Sequence, residues 1–106
     1  MNVDIEALKQ WVGRSESAVD YVTIPAVHRL GALLDRDDPM PVAGDRLPIG
    51  WHSILFPRIA RQSQLGEDGH PVRGDFLPPV PLPRRMFAGK RIEFLADLRV
   101  GDEVKR

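Results

Sequence analysis

Cysteine is missing from the 106-residue sequence, which excludes disulfide scaffolds, thiolate metal centres and cysteine nucleophiles. An excess of either charge is missing too. Fifteen basic residues balance fifteen acidic ones, so there is no global electrostatic case for nucleic acid or an anionic membrane surface. Long apolar runs are lacking, and no segment approaches the about 20 residues that span a bilayer. The N-terminal MNVDIEALKQW carries acidic residues where a signal peptide has its basic region. The expectation is a cytoplasmic protein that touches neither membrane nor nucleic acid. No metal or cofactor site is expected: the three histidines, His28, His52 and His70, are too far apart for metal-ligand spacing. What is present is ordinary for a small folded domain, 42% hydrophobic and 28% charged residues. Near-zero net charge gives little protection against self-association.

The chain changes texture along its length. NVDIEALKQWVG reads as a short leading helix, with Asn2 or Asp4 as cap, Glu6 in the first turn and Gly13 as a stop. VTIPAVHRLGALLDRDDP predicts a stronger helix. Thr23 caps it, Pro25 sits in the first turn, and Val27, Leu30, Leu33 and Leu34 form an apolar stripe ending before Pro39. Nine of the ten prolines then fall between Pro39 and Pro83, which disfavours long regular elements. One apolar island interrupts, IGWHSILFP, as a short strand or a helical turn. LGEDGHPVRGD is a polar loop with a turn between Gly66 and Gly69. After the proline run FLPPVPLPRR, the alternation of Ile92 and Phe94 with Arg91, Glu93 and Leu95 predicts a half-buried strand. RVGDEV turns into a further strand. One helix and one good strand cannot close a sheet-based core. The sequence therefore reads as the front part of a larger fold.

Three stretches, LPIGWHSILF, LGEDGHPVRGDFLPPVPLPRRMFAGKRIEF and LRVGDEV, together resemble the N-terminal half of MaoC-like dehydratases with two hot-dog halves. That group includes mesaconyl-CoA and itaconyl-CoA hydratases and the type 2 hydroxyacyl-thioester dehydratases. The resemblance runs from about Tyr21 to Val104. It implies an α+β hot-dog fold, a central helix wrapped by antiparallel sheet, incomplete in this chain. Residues 1–106 would be one part-domain, with a leading helix over 1–20 and the hot-dog helix over 21–38. Proline-rich crossing segments would follow over 39–83, and the first long sheet strand with its turn over 84–106. The implied chemistry is addition or removal of water at an enoyl-thioester, performed by an Asp and a His. The family motif Asp-x-Asn-Pro-x-His falls on RDDPMP: Arg36 stands at the Asp position, Asp38 at the Asn position and Pro41 at the His position. No catalytic residue is therefore assigned. The resemblance makes this the non-catalytic half, which shapes the acyl-CoA pocket and is completed by a catalytic hot-dog half or a second copy.

The substrate-binding candidates are Trp51, His52, Arg84 and Arg85. His52, beside Trp51 in the apolar island, either makes a structural hydrogen bond or forms a pocket wall facing the acyl chain. Arg84 and Arg85 suit bidentate contact with CoA phosphates, and suit acidic residues of a partner half equally well. His28 reads as a packed or boundary histidine and His70 as a solvated one. A non-catalytic thioester-binding or assembly module is the competing function. A ligand for SH3-type domains fails on register, because Pro83 occupies the arginine position of Pro78-x-x-Pro81-x-Arg.

Overall fold

The computed structural model describes residues 2–106; the expected leading segment begins at Met1, which lies outside the described residues. The chain divides into two compact units, one of residues 2–16 and Arg58–Lys90, the other of Ser17–Pro57 and Arg91–Arg106.

In the first unit, α1 spans Ile5–Leu8 and continues as a 3-10 turn over Lys9–Trp11. Asp4 caps it, its carboxylate accepting from the Ala7 N–H at 3.1 Å. The proline run of this unit forms no regular element. Prolines donate no backbone hydrogen bond, yet their neighbours' carbonyls still need partners. Arg73 supplies them, its guanidinium donating to the carbonyls of Val80 at 2.6 Å and Leu82 at 2.7 Å. The polar loop before it closes as the glycines suggest, with Gly69 N–H donating to Gly66 at 3.0 Å and Gly66 N–H to His70 at 2.7 Å.

The second unit holds the longer helix. α2 spans Ile24–Leu33, within the 21–38 expected for it. Thr23 caps it through its hydroxyl, which accepts from Ala26 N–H, and Pro25 lies in the first turn. The helix ends well before Pro39, for a local reason. Asp35 adopts φ 57°, its N–H donates to Ala32, and the Arg36 N–H donates to Gly31, both at 3.0 Å. This is a Schellman closure with aspartate in the left-handed position. The early stop shortens the apolar stripe. Val27 is buried and Leu30 packs beside it, but Leu33 and Leu34 are 80% and 52% exposed.

Two short strands pair antiparallel: β1 (Val19–Tyr21) and β2 (Glu103–Lys105), with Val19 opposite Lys105 and Tyr21 opposite Glu103. Hydrogen bonds extend the pairing to Ala18 with Arg106 and to Val22 with Asp102 and Gly101. The chain just before β2 also bonds to the segment before the apolar island: Leu47 N–H donates to Leu98 at 2.8 Å, and Val100 N–H to Asp45 at 2.9 Å. The core of Val22, Val27, Leu47, Trp51 and Val100 thus draws on the end of β1, α2 and both of these segments. The architecture is α+β, a helix and a two-stranded antiparallel sheet joined through this small core, consistent with a partial hot-dog.

The strand expected over Arg91–Leu95 is absent; these residues form no ladder. Ile92 and Phe94 stay exposed, at 45% and 47%, since alternation supplies an apolar face but not a partner strand. The apolar island is a 3-10 turn, Trp51–Ile54, and so the helical of the two readings holds.

Gly31 sits mid-helix against Trp51, and a Cβ there would meet the Trp51 ring at 3.8 Å, an ordinary contact. Gly31→Ala is therefore expected to stabilise the unit by about 0.5–1 kcal/mol through helix propensity. Urea denaturation followed by circular dichroism checks it; a loss of stability would mean the helix cannot accept a methyl against the indole.

Candidate functional site

Two clefts in the unit of Ser17–Pro57 and Arg91–Arg106 have the size of small-ligand sites. The first, about 490 Å³, is lined by Leu47, Pro48, Ile49, His52, Phe94 and Leu98 among others, with Glu93 and Asp97 contributing carboxylates. The second, about 460 Å³, lies at the C-terminal end of α2, lined by His28, Gly31, Arg36, Asp37, Asp38 and Trp51 among others.

One turn serves both clefts. Gly50 begins it with φ 91°, left-handed backbone that glycine adopts without strain. Trp51 then enters the core and lines the second cleft, while His52 lines the first. The two candidates adjacent in sequence therefore face different cavities. The His52 ring meets Phe94 edge-on, with centroids 5.5 Å apart. Its Nδ1 is buried and has no hydrogen-bond partner within the protein, so the expected structural hydrogen bond is not made at that atom. Asp97, at the same cleft, is paired with Arg46 at 3.1 Å.

At the second cleft, Arg36 clasps Asp38 with Nε–Oδ2 at 2.7 Å and Nη2–Oδ1 at 3.3 Å. Its guanidinium stands 5.2 Å from the Trp51 ring centroid. The residue at the motif's Asp position therefore neutralises the carboxylate at its Asn position. His28 is exposed on α2 and lines this cleft, and it forms no hydrogen bond with Asp37 or Asp38. A general base needs a partner that orients it, and no histidine–carboxylate bond occurs here.

Arg84 and Arg85 lie in the other unit. Arg85 is occupied: it donates to the Pro71 carbonyl at 2.9 Å and pairs with Asp68 at 3.4 Å. Asp68 also accepts from the His70 N–H at 2.9 Å. That backbone bond is the main reason its carboxyl is held below its ordinary value. The nearby charges of His70, Arg85 and Arg73 add to the effect, and desolvation opposes it. Arg84 is exposed and makes no hydrogen bond or ion pair. The residue missed by sequence reasoning is Phe94, the aromatic neighbour of His52. Its alternation marked it as apolar but assigned it to a strand. No helix among the described residues is long and apolar enough to cross a membrane.

Residues 50–106 match the sequence profile of the hydroxyacyl-thioester dehydratase type 2 family. A curated relative, the mesaconyl-C(4)-CoA hydratase of Chloroflexus aurantiacus, is 45% identical over 96 residues. That match covers 91% of this chain and 34% of the relative, so the chain spans about a third of the relative's length. The matched residues 50–106 include the His52 turn, the proline run and β2. The chain belongs to the hydroxyacyl-thioester dehydratase type 2 family, within the MaoC-like hot-dog proteins.

Proposed function

We propose that the chain is the N-terminal, non-catalytic portion of an acyl-CoA hydratase/dehydratase, shaping the pocket that receives an enoyl-thioester. Family membership supports the reaction class: water is added to, or removed from, a carbon–carbon double bond conjugated to the thioester carbonyl. The observation that carries the non-catalytic assignment is the end of α2. Arg36 and Asp38 are tied to each other there, Pro41 stands where a histidine would act, and His28 has no carboxylate partner. Water activation needs a base held in place by a second group, and that pair is missing from this cleft.

In this reading the His52 cleft receives part of the acyl group, and Trp51 supports it from the core. Of the two arginines Arg84 is the one open to a phosphate contact, because Arg85 already holds Asp68 and Pro71. The partner is a catalytic hot-dog half or a second copy of the chain, in the cytoplasm.

The test is a hydration assay on mesaconyl-CoA and crotonyl-CoA, following loss of the enoyl-thioester absorbance. The chain is assayed alone and with a hot-dog chain that carries the Asp…His pair. Activity only in the mixture is the expected result. Activity of the chain alone would overturn the non-catalytic assignment. Inactivity in both, with thioester binding retained, would favour a thioester-binding module instead.

A further inference from the structure

We propose that residues 91–95 are a self-pairing strand, which docks antiparallel on the same residues of a second copy of the chain. The inference takes up the second-copy partner of the reading above and names the surface that joins the copies. No backbone N–H or C=O between residues 83 and 97 is hydrogen-bonded among the described residues. Residues 91–97 are all exposed. The segment still has the composition of a strand, with Ile92 and Phe94 alternating with Arg91 and Glu93. Its Phe94 is seated against the His52 ring, with centroids 5.5 Å apart. What the segment lacks is a partner edge, and unpaired backbone on an alternating segment is a template for another chain.

Charge chooses the occupant and the register. Arg91 and Glu93 form no ion pair or hydrogen bond among the described residues. Residues directly opposite in an antiparallel pair share a face, so a two-fold axis must pass through a residue position. With the axis at Ile92, Arg91 of each copy stands opposite Glu93 of the other, which makes two identical ion pairs. Ile92 of the two copies then meets on the other face. Moving the axis one residue either way sets Arg91 against Arg91 or Glu93 against Glu93, and like charges directly opposite are repulsive. An unrelated strand would have to carry a cation and a carboxylate in the matching order, whereas a second copy supplies both by symmetry. One patch used by both copies is the closed arrangement that most soluble dimers adopt.

The test is sedimentation equilibrium of the full chain over a range of concentrations, and the wild-type chain is expected to form dimers. Arg91→Glu and Glu93→Arg each turn both ion pairs into repulsive contacts, and each is expected to weaken the dimer about tenfold or more. The double variant Arg91→Glu/Glu93→Arg returns opposite charges to the two positions and is expected to dimerise like the wild type. Far-ultraviolet circular dichroism verifies that each variant keeps α2. Because the chain has no cysteine, Ile92→Cys carries a single thiol. Oxidised glutathione is expected to cross-link that variant, since side chains at the axis lie within disulfide reach. Leu95→Cys, whose two copies stand about 20 Å apart in this register, is expected to stay uncross-linked. A wild-type chain that is monomeric throughout would overturn the inference. So would a dimer that both single variants leave intact, one that the double variant fails to restore, or cross-linking of Leu95→Cys in place of Ile92→Cys. Association only with a catalytic hot-dog chain would overturn it too and give the segment to that partner. None of these outcomes bears on the non-catalytic assignment, which the hydration assay decides.

Discussion

Trp51→Ala is expected to destabilise the α2 unit by about 3–5 kcal/mol, the usual cost of emptying a large aromatic site in a core. The unit has little to spare. Its buried apolar residues are Val22, Val27, Leu47, Trp51 and Val100, of which the indole is by far the largest. Small domains are stable by only about 5–15 kcal/mol in total. The indole also lies against Gly31 and beneath the Arg36 guanidinium, so its loss leaves a cavity between helix and turn. The loss is measured by urea denaturation followed by far-ultraviolet circular dichroism, which reports on α2. Trp11 is then the remaining tryptophan, and its fluorescence follows the other unit separately. A change below about 1 kcal/mol would show that the ring is not a core anchor.

Asp20 is expected to make the same unit sensitive to acid. Its carboxylate accepts from the Tyr21 N–H at 2.7 Å and, across the fold, from the Phe56 N–H at 2.8 Å. Phe56 has φ 56°, a left-handed conformation unfavourable for a bulky residue, and the Asp20 bond helps to hold it. The Phe56 bond, then the Tyr21 bond, keep the carboxyl below its ordinary value of 3.8, against a smaller opposing desolvation. A carboxyl that is more acidic in the folded chain stabilises it while ionised. That contribution is complete above the unfolded value, fades as pH falls through 3.8, and is gone below the folded value. Asp20→Ala should therefore lower stability at pH 7 and lower it much less near pH 3. Asp68 titrates in both proteins and drops out of the difference. A gap between the two proteins that is the same at pH 7 and pH 3 would show that ionised Asp20 holds nothing in place.

Local signals were legible in the sequence and non-local ones were not. Thr23 and Pro25 announced the start of α2, and Asp4 the start of α1, because a cap acts within one turn of chain. The end of α2 was misplaced because Pro39 is a conspicuous breaker, whereas a left-handed aspartate at position 35 leaves no mark in composition. The alternation at Ile92 and Phe94 named an apolar face correctly and a strand wrongly. A strand is defined by its partner, and periodicity describes only one side of that pair. The turn at RVGDEV leading into β2 was readable from Gly101 and Asp102, but its pairing with Val19–Tyr21 was not. Of the candidate site, the residue types were visible and their division was not. Nothing in the string WH says that its two rings face different clefts, since that depends on the turn that Gly50 opens.

The pairing of β1 with β2 joins residues from nearly opposite ends of the chain. Around it, the unit of Ser17–Pro57 and Arg91–Arg106 is discontinuous in sequence, interrupted by Arg58–Lys90. Its assembly must therefore close a long loop before any core contact with Val100 is gained, an entropic cost that slows the search. During synthesis α2 emerges early and waits, its Val27 and Leu30 uncovered, until the residues around Val100 and β2 have left the ribosome. The rate at which this unit reaches its native state is then set by closure of that long loop rather than by its best-formed helix.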